Sequence, residues 1–122
     1  MTPLEKMISL EKEAADFGFE WPNLEMILDQ AIDECREIKE ALKTGSTAEI
    51  QEEVGDLLQA AIGVCVYAGF DVEETLDKTN TKFSNRMMAL KKISAEKGLE
   101  TLKGQPIERM LDLWKECKKF FS

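Results

Sequence analysis

Glu34 and Glu37, then Glu53 and Asp56, form two acidic pairs, each with its members three residues apart. Side chains at that spacing are neighbours on one face of a helix, and both pairs fall in stretches with helical periodicity. Two such pairs brought together repel one another unless a cation lies between them. Carboxylate oxygens are the donors that Mg²⁺ and Mn²⁺ prefer, so the pattern points to a divalent-cation site. One pair alone is weak evidence. The chain has 24 Asp and Glu, and Glu37/Glu40, Glu49/Glu52 and Asp71/Glu74 repeat the spacing as solvated helix faces do. Position separates the quartet from these. Glu53 and Asp56 immediately precede the most apolar segment, where unpartnered charge is costly, and Glu34 flanks the apolar stripe of its own helix.

Helices must position these groups, because strand-like alternation is absent. The pattern predicts a short amphipathic helix over residues 3–17, ended by Gly18. Gly18-Phe19-Glu20-Trp21-Pro22 reads as a loop, since a residue before proline resists helix, and Asn23 suits an N-cap. From there Leu24, Leu28, Ala31, Cys35, Ile38 and Leu42 recur as a stripe expected to be buried. After Gly45-Ser46-Thr47, a helix over about residues 48–68 is acidic to Asp56 and apolar beyond it. It is expected to be the central helix, surrounded by protein and shared with a second subunit. Asp71 and Glu74 mark a capping-box-like start for a fourth helix to about residue 97, with the stripe Leu76, Asn80, Phe83, Met87 and Leu90. Gly98 suits its C-terminal end. Pro106 at N1 opens a fifth helix with the stripe Ile107, Met110, Trp114, Cys117 and Phe121. The fold class expected is all-α, a four- to five-helix bundle forming a single domain over residues 1–122.

Composition narrows the chemistry. There are 122 residues, enough for one domain, at 43% hydrophobic and 33% charged. Histidine is absent, which removes Ser-His-Asp and Cys-His catalysis and histidine-containing zinc sites. Cys35, Cys65 and Cys117 are odd in number, far apart and set among apolar residues, so they read as buried reduced thiols. A net charge of −8 opposes binding to nucleic acid polymers and anionic membranes. The N-terminal residues lack signal-peptide character, and the apolar run over residues 57–70 is too short to span a bilayer. A cytoplasmic location is expected.

Asp33-Glu34-Cys35-Arg36-Glu37, followed after fifteen residues by Glu53-Val54-Gly55-Asp56, resembles the EExxE and ExxD pattern of the MazG nucleotide pyrophosphohydrolases. The likeness extends through the Gly18–Pro22 block, through Asn80-Thr81-Lys82-Phe83-Ser84-Asn85-Arg86 and through the Trp114 segment, in the same order. It is nearest to the catalytic C-terminal half of two-domain members. The resemblance implies an enzyme that splits a nucleoside triphosphate into a monophosphate and pyrophosphate with Mg²⁺. Glu34, Glu37, Glu53 and Asp56 would be its metal ligands. Lys82 and Arg86 would hold phosphate oxygens, Asn80 would contact the nucleotide, and Trp21 or Trp114 would pack on the base. Asp33 stands where relatives commonly carry Glu, at a position that helps activate water in some of them.

Elementary chemistry agrees with that implication. Hydrolysing an anhydride beside several phosphates requires charge screening and an oriented water, and metal ions supply both. Each supporting residue also has a plainer role. Trp114 lies on a core stripe, Trp21 can pack in its loop, Lys82 and Arg86 can pair with acids on their own helix, and Asn80 can be a buried structural amide. Other readings of the whole are a dUTP, dCTP or phosphoribosyl-ATP pyrophosphohydrolase with the same site, and a non-catalytic helical module. A homodimer or higher oligomer is expected from the apolar central helix.

Overall fold

Side-chain caps mark three of the helix starts in the computed structural model, which describes residues 1–119. Thr2 Oγ1, Asn23 Oδ1 and Ser46 Oγ accept from the N–H groups of Glu5, Met26 and Glu49, at 3.1, 2.9 and 3.3 Å. Each satisfies a donor that has no partner within its helix. The helices they open are α1 (Pro3–Asp16), α2 (Leu24–Thr44) and α3 (Thr47–Tyr67), followed by α4 (Val72–Glu96) and α5 (Ile107–Lys118). No strand occurs among the described residues, so the all-α expectation holds.

Three helices end alike. At Gly18, Gly69 and Gly98 the backbone turns to positive φ, and paired bonds reach back to the last turn. After α1, for example, Phe19 N–H donates to Ala14 O at 2.8 Å and Gly18 N–H to Ala15 O at 2.9 Å, a Schellman arrangement. Pro106 differs from expectation by one position. Its ψ of 148° is extended, so it is the N-cap of α5 rather than its first helical residue, and its carbonyl accepts from Met110 N–H at 3.2 Å.

The described residues fall into two compact units, Met1–Val72 and the part from Glu73 onward. In the first, α2 and α3 pack along one another as a hairpin, and α1 lies against α3. Only Gly45 and Ser46 join α2 to α3. A Cβ at Gly45 would lie 2.5 Å from Ala41 O, so the close turn requires glycine. In the second unit, the Phe83 and Trp114 rings lie 6.0 Å apart at 58°, and Leu113 and Cys117 are buried. Lys97 and Glu116 add an exposed ion pair at 3.9 Å, of the kind that contributes little.

Burial departs from the sequence pattern in several places. Leu24, Leu28, Cys35 and Leu42 are exposed, whereas Ile27 and Glu34 are the buried residues of α2. The helix turns toward α3 the face that carries carboxylates, and the apolar stripe lies on the flank. No residue of α3 is fully buried, and Leu58 is 59% exposed. On α4, Leu76, Asn80 and Phe83 are exposed while Met87 and Leu90 are half-buried, so Asn80 is not a core amide. Of the thiols only Cys117 is buried; Cys65 is half-buried and Cys35 exposed, and all three are reduced. Phe121 lies outside the described residues. No single described helix is long and apolar enough to cross a membrane.

Candidate metal centre and adjoining cavity

The hairpin brings Glu34 and Glu37 of α2 against Glu53 and Asp56 of α3. One carboxylate oxygen from each of the four lies within 4.8 Å of every other. Around a single octahedral Mg²⁺, with ligands at about 2.1 Å, oxygens are separated by about 3 to 4 Å, so a small contraction of the quartet suffices. The donor set is entirely carboxylate, which suits Mg²⁺ or Mn²⁺ rather than a thiolate or imidazole metal.

Burial makes this convergence expensive without a cation. Glu34 is only 9% exposed. Its Oε1 accepts from Gln30 Nε2 at 2.6 Å, one helical turn earlier, while its Oε2 is buried with no partner. Glu53 Oε2 is also buried and unpartnered. Two carboxylate oxygens without donors, at the focus of two more carboxylates, are an acceptor site awaiting a positive charge. The Glu53 carboxyl is pushed above the usual range, first because Glu37 lies close enough to share its proton. Loss of solvent comes second, and repulsion from Glu37, Asp56 and Glu34 adds to it. With both groups ionised neither can donate, so no hydrogen bond joins them.

A cavity of about 610 Å³ adjoins the quartet, with Glu34 and Asp56 on its wall. That volume is in the range of small-molecule sites. From Asp56 its lining follows one face of α3 through Gln59, Ala60, Gly63, Val66 and Tyr67. Gln30 and Ile27 of α2, Glu11, Ala14 and Ala15 of α1, and Phe19, Glu20 and Trp21 of the loop complete it. Tyr67 Oη donates to Pro22 O at 3.2 Å, tying the Trp21 loop to the end of α3.

The remaining expected residues are distributed as follows. Trp21 is on the cavity wall. Asp33 is outside the quartet, and its Oδ1 accepts from Arg36 Nε and Nη2 at 3.0 and 2.8 Å. Asn80, Lys82, Arg86 and Trp114 belong to the second unit. There Asn80 and Lys82 are exposed, and the Arg86 guanidinium lies 5.9 Å from the centre of the Trp114 ring. Phe83 lies beside the same half-buried ring. Sequence reasoning missed Gln30, although its i,i+4 relation to Glu34 was available. It also missed Glu11, Gln59 and Tyr67, which reach the cavity only through the docking of α1 on α3.

An all-α fold with a helical hairpin that focuses four carboxylates beside a cavity defines a class of helical proteins that could hold a metal ion between two helices. Residues 23–90 match the MazG nucleotide pyrophosphohydrolase domain. The chain is 31% identical over 112 residues to the nucleoside triphosphate pyrophosphohydrolase of Escherichia coli, covering 90% of this chain and 42% of that protein. It is 29% identical over 109 residues to the nucleoside triphosphate pyrophosphohydrolase/pyrophosphatase MazG of Thermotoga maritima, covering 89% and 41%. The chain thus spans about two fifths of the length of these curated relatives. It belongs to the MazG nucleotide pyrophosphohydrolase domain family.

Proposed function

We propose that this chain is a Mg²⁺-dependent nucleoside triphosphate pyrophosphohydrolase, converting an NTP or dNTP and water to the monophosphate and pyrophosphate. One observation carries the reading: four carboxylates converge, two of them with buried unpartnered oxygens, at the edge of a cavity of nucleoside size. The family match and the names of the relatives support it.

Glu34, Glu37, Glu53 and Asp56 would hold the cation, and Mn²⁺ would satisfy the same donors. When bound, the cation screens phosphate charge and lowers the pKa of an attacking water. Gln30 fixes one Glu34 oxygen and thereby aims the other. Trp21 offers a ring face to the base within the cavity. Asp33 enters as the residue that orients water. Both Arg36 bonds fall on its Oδ1, so Oδ2 is the oxygen for that role. Asn80 as a nucleotide contact, and Lys82 and Arg86 as phosphate ligands, rest on the family pattern alone.

The exposed apolar side chains of α2 and α3, among them Ile32 and Leu58, support a homodimer or higher oligomer. Sedimentation that shows a monomer at every concentration refutes that part. A cytoplasmic location and housecleaning of the nucleotide pool complete the proposal. The decisive experiment is incubation with each NTP and dNTP plus Mg²⁺, with assay of pyrophosphate and monophosphate. Formation of both from at least one nucleotide is expected, and no product from any of them refutes the reading.

A further inference from the structure

We propose that Glu11 and Gln59 read the base of the substrate and select guanine. This rests on the pyrophosphohydrolase reading and goes beyond it to the substrate class. The cavity runs along α3 from Asp56 to Gly63, seven residues or about 10 Å at the rise of a helix. With the outer phosphates beside the carboxylate quartet, the base of a nucleotide falls near Gly63. There the wall is of small residues, Ala14, Ala60 and Gly63 among them, with Trp21 on the loop.

Two polar groups stand at that end. Glu11 projects from α1 toward α3, and its Oε2 would lie 3.4 Å from a Cβ at position 63, an ordinary contact distance, so the carboxylate lies against α3 at Gly63. Among the described residues no cation pairs with Glu11. Its hydrogen-bond partner is Gln59, whose Nε2 donates to Oε1 at a long 3.5 Å. A half-buried carboxylate in a ligand-sized cavity, held by one weak bond, has acceptor capacity to spare.

The pair presents a donor, the second N–H of Gln59 Nε2, next to two acceptors, the Glu11 oxygens. That sequence is the complement of one base edge. Guanine offers an acceptor and two donors in order, O6, N1–H and the N2 amino group. Adenine and cytosine place a ring-nitrogen lone pair beside their amino group, where it faces carboxylate oxygen. Uracil and thymine flank their one N–H with carbonyls, which carboxylate also repels. A site built to hydrogen-bond its ligand rejects an analogue that leaves its polar groups unpaired.

Calorimetric titration of the chain with GMP, IMP, AMP, CMP and UMP tests this, because IMP differs from GMP only in lacking the N2 amino group. GMP is expected to bind roughly five- to a hundredfold tighter than IMP, the range for a bidentate base contact. Glu11→Gln, which turns one acceptor into a donor, is expected to erase the GMP-over-IMP ratio with the helical spectrum retained. Equal binding of GMP and IMP, or a ratio unchanged in Glu11→Gln, overturns the proposal. Triphosphates cleaved with no guanine preference overturn it too, and leave the pyrophosphohydrolase reading intact. A chain that shows the GMP preference yet cleaves no triphosphate refutes the enzymatic reading and upholds the base assignment.

Discussion

Among the described residues the two units each bury one polar side chain, and they do so with opposite consequences. In the unit from Glu73 onward it is Ser94, 4% exposed, whose hydroxyl has no partner. Among the described residues of that unit no second buried side-chain atom is unpartnered. In the Met1–Val72 unit it is Glu34, whose free oxygen converges with carboxylates from three further residues beside a cavity. A solitary unpartnered hydroxyl is a modest local cost. Convergent unpartnered carboxylates are far costlier, and a bound cation would remove that cost, which marks them as the candidate site. Burial of a polar atom therefore signals function when several like atoms share one focus, and only a packing compromise when it stands alone.

The sharpest way to break this comparison is Glu53→Gln. It removes one of the four proposed ligands, and turnover is expected to fall by about a hundredfold or more, as when a preorganised electrostatic group is lost. Turnover at the unmodified rate would show that the quartet is not the metal site. Next in size, Mg²⁺ at a hundredfold excess over its Kd is expected to raise unfolding free energy by about 2.7 kcal/mol. Denaturant titration with and without the ion measures it, and Glu53→Gln should largely lose the response.

A smaller effect follows from the raised pKa of Glu53. In the cation-free protein the folded state keeps a proton on Glu53 that the unfolded chain has already released. Stability is therefore expected to fall as pH rises from the ordinary glutamate range through the raised value. Mg²⁺ affinity should climb over the same window, because the cation must displace that proton. Urea midpoints measured against pH in chelator check the sign, and a rise in stability would contradict it. Smallest of all is Ser94→Ala, which removes an unpartnered buried hydroxyl. It should leave stability within about 1 kcal/mol of the parent or raise it, and should not touch the Mg²⁺ response.

Much of the site was legible from residue order. The spacing of Glu34, Glu37, Glu53 and Asp56, the cap at Asn23 and the break at Gly45-Ser46-Thr47 placed two carboxylate pairs on consecutive helices. Burial was less legible. Helix α2 carries apolar residues on more than one face, and periodicity cannot say which face its partner covers; Ile27 and Glu34 proved to face inward while Leu28 and Leu42 did not. Helix α3 looked central because it is apolar, yet none of its residues is fully buried, since composition alone does not fix which neighbours a helix has. Glu11 was invisible for a different reason. Its place on the cavity wall depends on the docking of α1 against α3, a relation between segments some fifty positions apart that no local pattern encodes.

The unequal exposure of the three thiols has a practical consequence. Cys35 is open to solvent one position from Glu34, whereas Cys117 is sealed and its ionisation is made harder by burial. An alkylating dye at limiting dose will therefore label Cys35 first and Cys117 last. That order installs an optical reporter on α2, next in sequence to Glu34, without disturbing the interior.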